Sequence, residues 1–74
     1  MNATSRVFIV VEGGRVTNVD IPRIVDGTHT VVDFDAAEMD AQATWAAFDE
    51  IDRAWILANY PDLSGLYFGE FERG

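Results

Sequence analysis

From Ala36 to Asn59 the chain runs for 24 residues without a glycine or a proline, and alanine recurs throughout. Glycine and proline oppose a helix most and alanine favours it most, so the stretch predicts one helix over about 36–59, roughly 36 Å long at 1.5 Å per residue. Such a rod is long for a chain of 74 residues, and the remaining segments must supply a layer for it to lie on. Its start is marked by Asp35 as N-cap, Glu38 as the partner in a capping box, and Phe34 and Met39 as a hydrophobic staple. A helical wheel places Ala37, Ala41, Thr44, Phe48, Ile51, Trp55 and Ala58 on one stripe, flanked by Trp45 and Ile56. Tyr60-Pro61 closes it, because a residue before proline is pushed out of helical geometry.

The layer comes from the N-terminal half. Val7-Phe8-Ile9-Val10-Val11 is apolar on both faces, the pattern of a strand covered on both sides, and predicts the middle strand of a sheet over about 6–11. Gly13-Gly14 then supplies the positive φ angles of a two-residue hairpin loop, which sets Glu12 opposite Arg15 and Val11 opposite Val16. In that register Phe8, Val10, Val19 and Ile21 form the core face of strands 6–11 and 15–21, and a one-residue change would alter it. Pro22 ends the second strand, Asp26-Gly27 turns the connection, and Thr30-Val31-Val32-Asp33-Phe34 is the third strand. The apolar tail, Leu63 to Phe71, reads as a fourth strand over about 66–71 beside the first, with packing over Leu57 as the competing view. The expected fold is therefore α+β: a three- or four-stranded, mainly antiparallel sheet in a single domain, with one long helix packed across it.

Composition narrows the function. At this length stability is marginal without a disulfide, a metal or a second subunit. The chain has no cysteine and one histidine, His29, so a second subunit is the addition left over. Apolar runs reach only five residues, as in Val7 to Val11, far short of the ~20 residues of a membrane span. The segment Met1 to Arg6 shows no export signal, so the expected location is the cytoplasm.

Charge is distributed unevenly. Residues 1–32 carry three acids and three arginines, whereas residues 33–74 carry ten acids against Arg53 and Arg73, so the whole net charge of −8 falls in the second part. A lysine-free, aspartate-rich chain also fits a GC-rich genome or a salt-adapted host, either of which would account for the acidity alone. Five scattered arginines cannot neutralise a run of phosphates, so no direct nucleic-acid binding is expected. Full mimicry of DNA fails as well: ~36 Å of duplex bears about 21 charges, while the helix offers Glu38, Asp40, Asp49, Glu50 and Asp52 less Arg53. A local acidic patch facing an arginine-lined protein surface survives that comparison.

No motif carries catalysis or a cofactor. The acids from Asp33 to Asp40 lack the spacing of an EF-hand loop and are explained as helix-capping groups. His29 has no nucleophile beside it, and Gly13-Gly14 is not a phosphate loop. Asp49 and Arg53 are spaced as a helix ion pair. Asp52 sits at the edge of the apolar stripe near Trp45 and Trp55, where its carboxylate either reaches water past the rings or meets an arginine.

At Val10-Val11-Glu12-Gly13-Gly14-Arg15-Val16 and Val31-Val32-Asp33-Phe34-Asp35 the chain resembles small bacterial and phage proteins with a VVEGG hairpin and a VVDFD strand. The likeness covers residues 7–40, and it implies the accessory cargo of a mobile element with no activity attached. The leading expectation is a non-enzymatic interaction module, such as a phage- or plasmid-encoded inhibitor of the anti-CRISPR or anti-restriction type. Glu38, Asp40, Asp49, Glu50 and Asp52 would engage a basic, nucleic-acid-binding protein. The alternative is a homodimer or larger homo-oligomer, assembled as a structural or regulatory subunit through Trp45, Trp55, Leu57, Tyr67 and Phe68.

Overall fold

Glycine at both central positions lets the first hairpin close on two residues. In the computed structural model, which describes residues 5–72, Gly13 and Gly14 take φ angles of 65° and 75°. Two positive φ angles match the twist of the strands they join, β1 (Val7–Glu12) and β2 (Arg15–Asp20). Glu12 pairs with Arg15 and Val11 with Val16, as the two-residue loop requires. Beyond that the register slips by one, so that Val10 pairs with Asn18 and Ile9 with Val19, leaving Thr17 as a bulge. Because side chains alternate faces, the extra residue moves Val19 off the core face expected for it and onto the opposite one.

β3 (His29–Asp33) lies on the other edge of β1 and runs parallel to it, giving a mixed sheet of order β2-β1-β3. This corrects the mainly antiparallel sheet. The connection from β2 passes the start of β1, where Val7 donates to the Thr28 carbonyl at 3.0 Å and Asp26 to the Ser5 carbonyl at 3.1 Å. Once past β1, the chain can only re-enter the sheet in β1's own direction. Gly27 turns it with φ of 87°, and Asp26 accepts hydrogen bonds from the hydroxyl and the N–H of Thr28. Those two bonds, the hydroxyl's first, hold the Asp26 carboxyl below the ordinary aspartate range.

The chain divides into two compact units between Asp35 and Ala36. In the sheet unit one face is buried, with Phe8, Val10, Val32 and the following Phe34 no more than 1% exposed. On the other face Val7, Ile9 and Val11 are half-buried, and Val16, Val19 and Val31 are exposed. Asp35, expected to cap the helix with Glu38, has a different role. Its carboxylate accepts the N–H groups of Gly13 and Gly14 at 2.8 and 2.7 Å, clasping the hairpin turn from 21 and 22 residues away. Asp33 instead takes the Asp35 N–H at 2.9 Å, at the start of α1 (Phe34–Met39). Met39 is 90% exposed, so the expected staple with Phe34 is not formed.

No single long helix spans 36–59. The stretch is broken into the end of α1, α2 (Ala41–Ala47) and α3 (Glu50–Asn59). The breaks fall at aspartates, whose short carboxylates compete for backbone N–H groups and so restart a helix as readily as they continue one. Asp40 accepts from Ala43 at 3.1 Å as the N-cap of α2, and Asp49 accepts from Asp52 at 2.9 Å as the N-cap of α3. Each restart resets the helical wheel. In α3 the buried positions are Asp52, Trp55 and Ile56, and Ile51, expected in the stripe, is 49% exposed.

The expected strand over 66–71 is corrected too, because the tail is a fourth helix, α4 (Pro61–Glu72). Tyr60 closes α3 by donating to the Ile56 carbonyl at 2.7 Å, and its own carbonyl accepts from Ser64 at 2.8 Å. Pro61 thus stands at the first position of a new helix, where its missing N–H costs nothing. Phe68 is fully buried and stacks on Trp45 at 4.8 Å, and Phe48 meets both rings edge-on at 6.2 Å. These three rings join α2 to α4 in the core of the helical unit.

Candidate protein-binding surface

The helical unit carries one basic residue among its described residues, Arg53, and that residue is turned inward. Its Nε and Nη2 donate to the Trp45 carbonyl at 3.3 and 3.0 Å, and its guanidinium lies 5.2 Å from the Trp45 ring centroid. The carbonyl belongs to the last turn of α2, which attracts a cation through its unsatisfied carbonyls, and the ring face adds a second attraction. The result is electrostatic. Glu38, Asp40, Asp49, Glu50, Asp62 and Glu70 are exposed on a unit with one described cation, which is half-buried.

The expected contact acids separate into two groups. Glu38, near the end of α1, and Glu50, at the start of α3, are exposed and hold no cap. Asp40 and Asp49 are exposed but act as the N-caps of α2 and α3. α2 separates them by roughly 10 Å, its seven residues rising 1.5 Å each. Asp52 is only 5% exposed and folds back on its own helix. Its Oδ2 accepts the Asp49 N–H at 3.1 Å while its N–H donates to Asp49 Oδ1, a reciprocal capping box. The carboxylate therefore lies at the edge of the apolar stripe because it finishes the helix end, and a buried charge needs such donors.

The five residues expected at an oligomer interface divide similarly. Trp45, Trp55 and Phe68 are buried within the chain, Tyr67 is half-buried, and Leu57 is 43% exposed. A signal for the burial was present in the tail. Ser64 and Phe68 are four residues apart, as are Leu63, Tyr67 and Phe71, which is helical rather than strand spacing. Sequence reasoning missed Arg53's inward turn, since its carbonyl partner is identified only after α2 ends at Ala47. No family model, curated protein or solved structure compared with the chain matches it. Among the described residues no group of three or more His, Cys, Asp or Glu is placed to hold a metal ion. No described helix is long and apolar enough to cross a membrane.

Proposed function

We propose that this protein is a non-enzymatic interaction module whose acidic helical unit engages a basic surface on a protein partner. The observation that carries the reading is the number of exposed acids on that unit, Glu38, Glu50, Asp62 and Glu70 among them, against one basic residue among its described residues, Arg53, whose guanidinium donates to the Trp45 carbonyl. A protein surface that normally holds nucleic acid is rich in arginine and lysine and has the complementary charge. Occupying it would make the module an inhibitor, and the VVEGG and VVDFD resemblance supports a phage or plasmid origin. The charges would mainly speed the encounter, with affinity set by the contacts made afterward.

The test separates surface acids from capping acids. Glu38→Gln with Glu50→Gln removes two charges and no cap, so the fold is kept and binding falls. Capture from an extract of the native host should retain a basic nucleic-acid-binding protein at low salt and release it at about 0.5 M, where screening acts within ~4 Å. The double variant should retain less of it. Equal capture by the variant, or retention indifferent to salt, overturns the proposal.

A further inference from the structure

The first hairpin turn lies at the end of the β1–β3 ladder, and a side chain takes the place of the next rung. The parallel register keeps a constant offset of 22 residues, from Val7 with His29 to Val11 with Asp33. Continued by two residues, the offset sets Gly13 beside Asp35, where β3 has ended and α1 has begun. The Gly13 N–H donates to Asp35 Oδ1 at 2.8 Å and the Gly14 N–H to Oδ2 at 2.7 Å, one donor for each oxygen. Successive N–H groups aimed to one side of a turn form a concave site for an anion. We infer that the Gly13-Gly14 turn is a carboxylate-binding site whose tethered ligand is Asp35, and that Asp35 closes it to carboxylates from outside the chain.

The site is made of backbone and does not depend on its occupant. Gly13 and Gly14 hold φ angles of 65° and 75° because the two-residue loop requires them, so the donors stay aligned when the carboxylate is removed. Approach is open: beyond their chain neighbours, no heavy atom lies within 4 Å of the point where a side chain would begin at either glycine. Glu12 and Arg15 flank the turn with one charge of each sign, so the N–H groups set the preference for an anion. Asp35 is itself fixed. Its own N–H donates to Asp33 Oδ1 at 2.9 Å, and the preceding Phe34 is 1% exposed. A carboxylate on so constrained a backbone has a higher effective concentration at the turn than a free one in solution.

A free carboxylate makes the same two bonds at an exposed site without the tether. Its dissociation constant should therefore be on the order of 0.1 M. Binding to the folded chain alone then raises the folding equilibrium constant roughly sixfold at about 0.5 M ligand.

Sodium formate, added to Asp35→Ala and to the unaltered chain, tests the inference, with sodium chloride at equal ionic strength as the reference. In Asp35→Ala, formate should move the Gly13 and Gly14 amide protons downfield along one saturating curve. Urea denaturation should show the roughly sixfold gain over chloride at about 0.5 M. The unaltered chain should show neither effect. The Thr28 amide, already bonded to the Asp26 carboxylate, is the internal control and should not move in either protein. Should Asp35→Ala unfold, Asp35→Asn takes its place, since it keeps one acceptor oxygen. Glycine amides that do not respond, an equal response in the unaltered chain, or a gain no larger than that from chloride overturns the inference. The turn belongs to the sheet unit and the acids of the proposed binding surface to the helical unit, so the two readings fail independently.

Discussion

Replacing Asp52 with alanine distinguishes a capping acid from a binding acid. The carboxylate is 5% exposed and accepts the Asp49 N–H at 3.1 Å, while Asp49 accepts the Asp52 N–H at 2.9 Å. Loss of a cap costs about 0.5–2 kcal/mol, and a part-buried N–H left without an acceptor costs about 1–3 kcal/mol. The two penalties overlap, because they describe one helix end, and removing a charge from an acidic unit gives back a few tenths through reduced repulsion. The expected loss for Asp52→Ala is about 2 kcal/mol. At about 4–8 °C per kcal/mol for a domain of this size, the melting temperature should fall by ~8–16 °C. Asp52→Asn keeps one acceptor oxygen and should lose about half as much. Urea denaturation followed by circular dichroism reads the change as a shift in midpoint at constant slope. The reciprocal geometry adds a sharper expectation: Asp49→Ala and Asp52→Ala together should cost less than their sum by at least ~0.5 kcal/mol. A loss under ~0.5 kcal/mol for Asp52→Ala, with partner binding abolished, would refute the capping account and return Asp52 to the binding surface.

Other perturbations probe the remaining long-range contacts. Asp35→Ala removes the acceptor for the Gly13 and Gly14 N–H groups and should cost about 1–2 kcal/mol, since charge-assisted bonds at an exposed site are discounted by solvent. Hydrogen exchange at those two amides should quicken more than at Val10. Phe68→Ala empties the centre of the Trp45–Phe48–Phe68 cluster and should cost about 3–5 kcal/mol. Against a total of roughly 4–11 kcal/mol for a chain this long, the urea midpoint should fall by about a quarter or more.

The helix breaks show how a favourable composition can mislead. Lack of glycine and proline from 36 to 59 permits a continuous helix without requiring one, and the cap signals at Asp40 and Asp49 were as visible as the one expected at Asp35. In the tail, the apolar run suggested a strand beside the first, but it forms a helix in which the burial of Phe68 outweighs the few tenths to ~1 kcal/mol of helix propensity lost at each of Gly65 and Gly69. Both errors came from weighing composition above spacing. The candidate surface was legible in part. The exposed positions of Glu38 and Glu50 follow from charge, whereas the burial of Asp52 follows from a helix start that the continuous rod had hidden.

What the sequence by itself determined are features whose partners lie within about four residues: the Gly13-Gly14 turn, the pairing of Glu12 with Arg15, the turn at Asp26-Gly27, and the ability of Asp40 and Asp49 to cap. Local sterics and hydrogen-bond reach settle these before the chain collapses. Tertiary structure alone decided that β3 joins β1 in parallel, that Thr17 bulges and turns Val19 outward, and that Asp35 clasps the hairpin turn. It also decided that Phe68 meets Trp45. Each of these depends on where the chain returns after a reversal, and several returns satisfy the same local preferences until packing selects one.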